Sequence, residues 1–201
     1  GVVVLRSTEI DRFGSWRDLN EAAVRNLTDH ERQVARLFVD DVVVTKASGS
    51  PEHIGKSAIV TPEIEAMEPC FGNFMQRLRA NPAVLNAEFL QRFLMSSLAR
   101  EQFRLLSTTS TGLMNLSASI LGDTRIPYIP IHEQRRVVWA LREQDSTWVD
   151  VTTEVSRSLV LLEERKRAVI TAAVTGELDV ATARPIGVGK WVSNVGANID
   201  S

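Results

Sequence analysis

Residues 132–174 read HEQRRVVWALREQDSTWVDVTTEVSRSLVLLEERKRAVITAAV, 43 residues without a glycine or a proline. The two residue types that most disrupt a helix are thus missing over about twelve helical turns. Leu141, Trp148, Val155, Leu162 and Val169 recur at intervals of seven, with Val137, Val151, Leu159 and Ala173 at neighbouring positions. A seven-residue apolar repeat lays one stripe along a helix and asks for a second helix to cover it. The stretch predicts a long helix or helical hairpin of coiled-coil type, about 65 Å long if continuous. Seven acidic and seven basic residues balance the rest of its surface, which suits a protein partner better than nucleic acid. Glu164 and Lys166 form a Glu-x-Lys pair, but inside this stripe they read as helix surface charge rather than a nuclease site. Gly176 is the helix stop. The tail beyond it, glycine-rich and aperiodic from Ala181, predicts loose structure.

Upstream, the pattern changes. The segment RIPYIPI (125–131) carries two prolines, which exclude a long helix. Before it lies a polar loop, STTSTGLMNLSAS (107–119). Phe89, Leu90, Phe93, Leu94 and Leu98 recur at three and four, predicting one amphipathic helix over 83–106 that starts at Asn81-Pro82. Residues 1–80 read as strand-rich, with strands at 37–45, in SAIV (57–60) and in CFGNFMQRLRA (70–80), and a brief helix or turn from Asp29. The expected division is a mixed strand-and-helix domain over 1–131, a long helix over 132–175 and a tail over 176–201.

The composition is that of a globular protein: 201 residues, 44% apolar and 24% charged, with a formal charge of −2. Residue 1 is glycine, so a fragment, or a processed or engineered chain, is expected. No apolar run approaches the ~18–20 residues of a membrane span. The lone cysteine, Cys70, cannot form an internal disulfide, which fits a reducing, cytoplasmic compartment. His30, His53, His132 and Cys70 show no metal-ligand spacing, so no metal site is expected. Residues 1–131 hold 14 Lys and Arg against 15 Asp and Glu, which predicts weak indiscriminate binding to phosphates.

One segment invites a nucleotide-binding reading. TKASGSPEHIGKSAIV (45–60) contains Gly55-Lys56-Ser57, yet a P-loop needs a glycine where this chain has Ser50. A β-branched stretch closed by Pro62 follows, where a P-loop requires a helix to present its free amides. Strand, polar loop, strand is the better reading, with Gly49 and Gly55 at the turn and Lys46, Ser48, Ser50, His53 and Lys56 as exposed donors.

The junction IPYIPIHEQRRVVWAL and the run LLEERKRAVITAAVTGELDV carry a resemblance. Together they resemble the specificity (S) subunit of type I restriction-modification enzymes, whose recognition domain ends in a proline-rich segment before Glu-Gln. Ile129 to Gln134 and Ala168 to Asp179 carry the match, and VVVLRSTEI, DDVVVTKASGSPEHIGKSAIV and TGLMNLSASIL follow in the family's order. The family's first strand and loop have no counterpart before Val2, so an N-terminally incomplete recognition domain is expected. A full S subunit has two recognition domains and two such helices. The resemblance therefore implies either the C-terminal half of a longer subunit or a half-sized subunit pairing with a copy of itself. His132 departs from the small or apolar residue usual before Glu-Gln.

The resemblance implies an α/β (α+β) target recognition domain followed by a long helix. Its expected role is to read one half of a bipartite site in double-stranded DNA and to dock methyltransferase (M) and restriction (R) subunits. Catalysis, with S-adenosylmethionine, ATP and Mg, is expected on those partners and not on this chain. Base edges are read by Arg, Lys, Asn, Gln and hydroxyl groups. Candidate DNA contacts are Lys46, Ser48, Ser50 and Lys56 on the first loop and Thr109, Thr111 and Asn115 on the second. Arg77 and Arg79 share a strand face, for phosphate or solvent. Leu141, Trp148, Val155, Leu162 and Val169 are the candidate partner-binding positions. The alternative is a coiled-coil assembly or scaffold protein whose recognition-like domain binds protein.

Overall fold

The computed structural model describes residues 1–110 and 113–176. The chain divides into two compact units, Gly1–Glu143 and Gln144–Ser201. In chain order, β1 (Val2–Leu5) is followed by a 3-10 turn at Ser7–Glu9, β2 (Ala23–Arg25) and α1 (Asp29–Ala35). Then come β3 (Asp41–Thr45), β4 (Ala47–Ser48), β5 (Ser57–Ile59), α2 (Pro62–Glu65), β6 (Cys70–Phe71) and β7 (Met75–Arg79). The rest is α3 (Ala87–Met95), α4 (Ser97–Leu106), β8 (Thr108–Ser110), β9 (Leu113–Asn115), α5 (Ala118–Asp123) and α6 (Ile131–Val174).

Three small sheets form in the first unit, in the orders β2-β1-β6, β5-β3-β7 and β4-β9-β8. Strand β3 explains why DVVVT shows no polar alternation: all five of its residues are buried. Val42 and Val44 pack with Leu90, Phe93, Leu94 and Phe103 on one side. Val43 packs with Leu5, Leu37 and Met75 on the other. A strand covered on both faces has no solvent side to mark with polar residues.

The expected helix over 83–106 is two helices, and the break has a local cause. Ser96 closes α3, its N–H donating to the Phe93 carbonyl at 2.9 Å, and its hydroxyl accepts the Ala99 N–H at 3.3 Å to open α4. A serine that caps in both directions competes with helix continuation. The helix start also lies later than expected. Asn81 and Pro82 form a turn in which the Asn81 carbonyl accepts from Val84 and Leu85, and Asn86 is the cap, accepting from Phe89 N–H at 2.9 Å. The piece 70–80 is likewise two strands joined by a tight turn rather than one. Helix α1 begins as the sequence implies, with Thr28 and Glu31 forming a reciprocal capping box.

Helix α6 runs unbroken from Ile131 to Val174. Its first turns belong to the first unit, where Gln134 is only 3% exposed. The Gln134 side chain accepts from Asn86 N–H at 2.8 Å and donates to the Val84 and Ile129 carbonyls, both at 2.9 Å. The Glu-Gln of the junction is therefore a fastening: its glutamine ties the helix to the backbone before α3. Val138 is buried, and Arg142 pairs with Glu88 of α3. At the far end Gly176 adopts φ +77°, a left-handed helix stop. The expected loose tail lies outside the described residues. No described helix is long and apolar enough to cross a membrane.

Candidate nucleic-acid interface

Gly55-Lys56-Ser57 is bound into the core. Gly55 sits at φ +75°, and a β-carbon there would lie 2.4 Å from the Phe103 ring. Lys56 corrects the expectation of an exposed donor, being 5% exposed. Its ammonium donates to the carbonyls of Ile10 at 2.6 Å and Ser7 at 3.2 Å. Burial pushes its pKa below the usual lysine value, aided by Arg17 and opposed by Asp11. The Ser57 hydroxyl donates to the Gln91 carbonyl at 3.3 Å. All three residues hold the loop's base, and none is free for phosphate.

Above that base, the remaining loop candidates come together with the second loop. In the third sheet, Ala47 faces Asn115 and Ser48 faces Met114 across β4 and β9. Across β9 and β8, Thr108 faces Asn115 and Thr109 faces Met114. Two segments some sixty residues apart in the chain, both chosen for exposure and chemistry, are thus neighbouring strands of one sheet. Met114 packs on the core below. Directly opposed residues share a face, and the alternation along β9 puts Asn115 on the other one, where it is exposed. The Leu116 N–H donates to the Lys46 carbonyl at 2.7 Å, holding the two loops in register. Lys46, Ser48 and Ser50 are half-buried. The Ser48 hydroxyl accepts the Ser50 N–H at 3.1 Å and the Ser50 hydroxyl accepts the Glu52 N–H at 3.3 Å, folding the loop on itself. Thr111 lies outside the described residues.

Arg77 and Arg79 share a strand face as expected, but both have internal partners. Arg79 grips buried Asp41 through two hydrogen bonds, at 2.6 and 2.8 Å, which raises its already high pKa. Arg77 donates to the Arg36 carbonyl at 2.5 Å and lies over the Phe71 ring. Both thus have partners within the first unit, while the Arg79 side chain stays 55% exposed.

Of the seam positions, Leu141 is half-buried in the first unit, so it is no part of an uncovered stripe. Trp148, Val155, Leu162 and Val169, all in the second unit, are exposed, and Val151, Leu159 and Ile170 join them on the same helix. Sequence pattern did not single out Arg6, Arg25, Asn73 or Phe74, which with Lys46 line a cleft of about 950 Å³ in the first unit. The only signal was the turn marked by Gly72 and Asn73 between two apolar pieces.

No family model and no curated protein matches the sequence. Solved structures do match in three dimensions. The HsdS subunit from Thermoanaerobacter tengcongensis superposes with a TM-score of 0.60 at 19% identity, covering 92% of this chain and 45% of that one. The chain has the HsdS fold. A second structure, a chain from work on complex assembly and conformational transition of the type I R-M system, gives a TM-score of 0.58 at 18% identity. Its coverage is the same, 92% of this chain and 45% of the other. This chain therefore spans about half the length of the HsdS-like chains it matches. The α/β domain followed by a long helix, expected from the junction motifs, is the arrangement found.

Proposed function

We propose that this chain is a DNA-specificity module of a type I restriction-modification system. It reads one half of a bipartite duplex target through the β4-β9-β8 sheet. The observation that carries the reading is the convergence of the two candidate loops into one sheet, within a fold shared with HsdS. Phosphate contacts position such a module and base-edge contacts give it sequence preference. Asn115, Ser48 and Ser50 supply the donors and acceptors that base edges require.

Under this reading the chain is non-catalytic. S-adenosylmethionine, ATP and Mg belong to M and R subunits, and α6 offers its stripe to a second helix, from another recognition half or a second copy of this chain. The uncovered stripe also favours a second reading, a scaffold whose helix is its function and whose domain binds protein. Mapping DNA methylation in cells with and without the intact gene separates the two. Modification at one bipartite motif that depends on the gene supports the specificity module; no motif changing its modification overturns it.

A further inference from the structure

The cleft that Lys46 lines brings charged and aromatic side chains together in the first unit. Arg6, Arg25 and Lys46 line it, with Asn73 and Phe74 on the turn between β6 and β7 and Glu31 as the opposing carboxylate. Arg6 is engaged by Glu9, and Glu31 is engaged in capping α1. Among the described residues, neither Arg25 nor Lys46 pairs with a carboxylate; Arg25 has only the Val24 carbonyl, at 2.9 Å. Two cationic side chains thus line a cleft in a domain whose overall charge does not attract DNA.

Phe74 adds a different chemistry. The residue is 59% exposed, yet its backbone is fixed, its carbonyl accepting from Lys46 N–H at 2.9 Å and from Ala47 N–H at 3.4 Å. The turn is thereby stapled to the first residue of β4, the strand that carries the loop candidates into the reading sheet. An aromatic ring held out on a rigid turn, next to unpaired cations and continuous with the sheet, has the chemistry of a wedge at a nucleic-acid surface.

We infer that this cleft seats the sugar-phosphate backbone of duplex DNA flanking the bases read by the sheet, with Arg25 and Lys46 on phosphates and Phe74 against the base stack. The inference rests on the DNA reading above and adds to it the path of the strand and three residues that hold it. A peptide of acidic character would suit the cations, but it would not use a ring fixed in line with the reading strand.

The test uses the full chain and short fluorescent duplexes of randomised sequence, with binding followed by anisotropy across a salt series. R25Q and K46Q should each flatten the salt dependence of log K by about 0.9, the loss of one phosphate contact. F74A should weaken binding by about fivefold or more without changing that slope, and F74W should restore it. R100Q, on α4, should bind as the unaltered chain does, and circular dichroism melts establish that each variant is folded. If the unaltered chain binds and R25Q, K46Q and F74A bind equally well, the cleft is not the path and the specificity reading stands. If the unaltered chain binds no duplex even at low salt, both the inference and the reading it rests on fail.

Discussion

Gly55 shows what one missing β-carbon does in this chain. Its left-handed backbone and the Phe103 ring 2.4 Å from a virtual Cβ allow no other residue without movement of the core. G55A should cost about 2–4 kcal/mol, combining backbone strain with overpacking, and urea unfolding should show it as a lower midpoint at unchanged slope. Lys56, next to it, is legible in sequence only as a charged loop residue. Its burial is set by the carbonyls of Ser7 and Ile10, almost fifty positions away, and no local pattern encodes that. K56M should leave both carbonyls without their donor and destabilise by about 1–3 kcal/mol for each one left dry. A measured loss near zero would show that water replaces the ammonium.

At the scale of elements, helix over 132–174 was plain in sequence because 43 residues carry no breaker, but a single rod and a hairpin shared that pattern. The α3–α4 break was not, since apolar spacing continues across Ser96 and only its two capping bonds interrupt the helix. Where α6 joins the domain, its fastening is polar and specific. Q134L should strand the Asn86 N–H and two carbonyls, a loss of about 2–4 kcal/mol readable as a lower melting temperature. The second fastening is ionic and titrates. Burial pushes the Glu88 carboxyl up, but hydrogen bonds and charge from Arg142 and Arg92 outweigh it, so its pKa lies below the usual 4.5. A carboxyl depressed in the folded state contributes stability that is fully present above its unfolded value and is lost as pH falls through the folded one. The stability gap between the unaltered chain and E88Q should therefore be widest near neutrality and narrow below about pH 4.5. A gap constant with pH would show that the ion pair is not the source.

For the whole molecule, the long helix followed from periodicity and the domain class from the resemblance carried by the ordered motifs, whereas the candidate interface followed from neither. Ser48 and Asn115 were found by exposure and chemistry, but their meeting in one sheet depends on a strand pairing across the intervening α3 and α4. Arg25 and Phe74 carried no pattern at all, because a cleft is a property of three dimensions. The heptad stripe is the opposite case, where sequence and structure give the same demand. Trp148, Val155, Leu162 and Val169 remain exposed on a helix whose apolar face calls for a second helix. If the covering helix comes from another copy of the chain, the purified protein should be a dimer by light scattering at micromolar concentration. A charge placed at the centre of that seam cannot be desolvated without an opposite partner, so V155E combined with L162E should return the protein to monomer. Unit 1 should keep its own melting transition, because neither residue contributes to its cores. A protein that is already monomeric before the change would rule out a second copy as what covers the stripe.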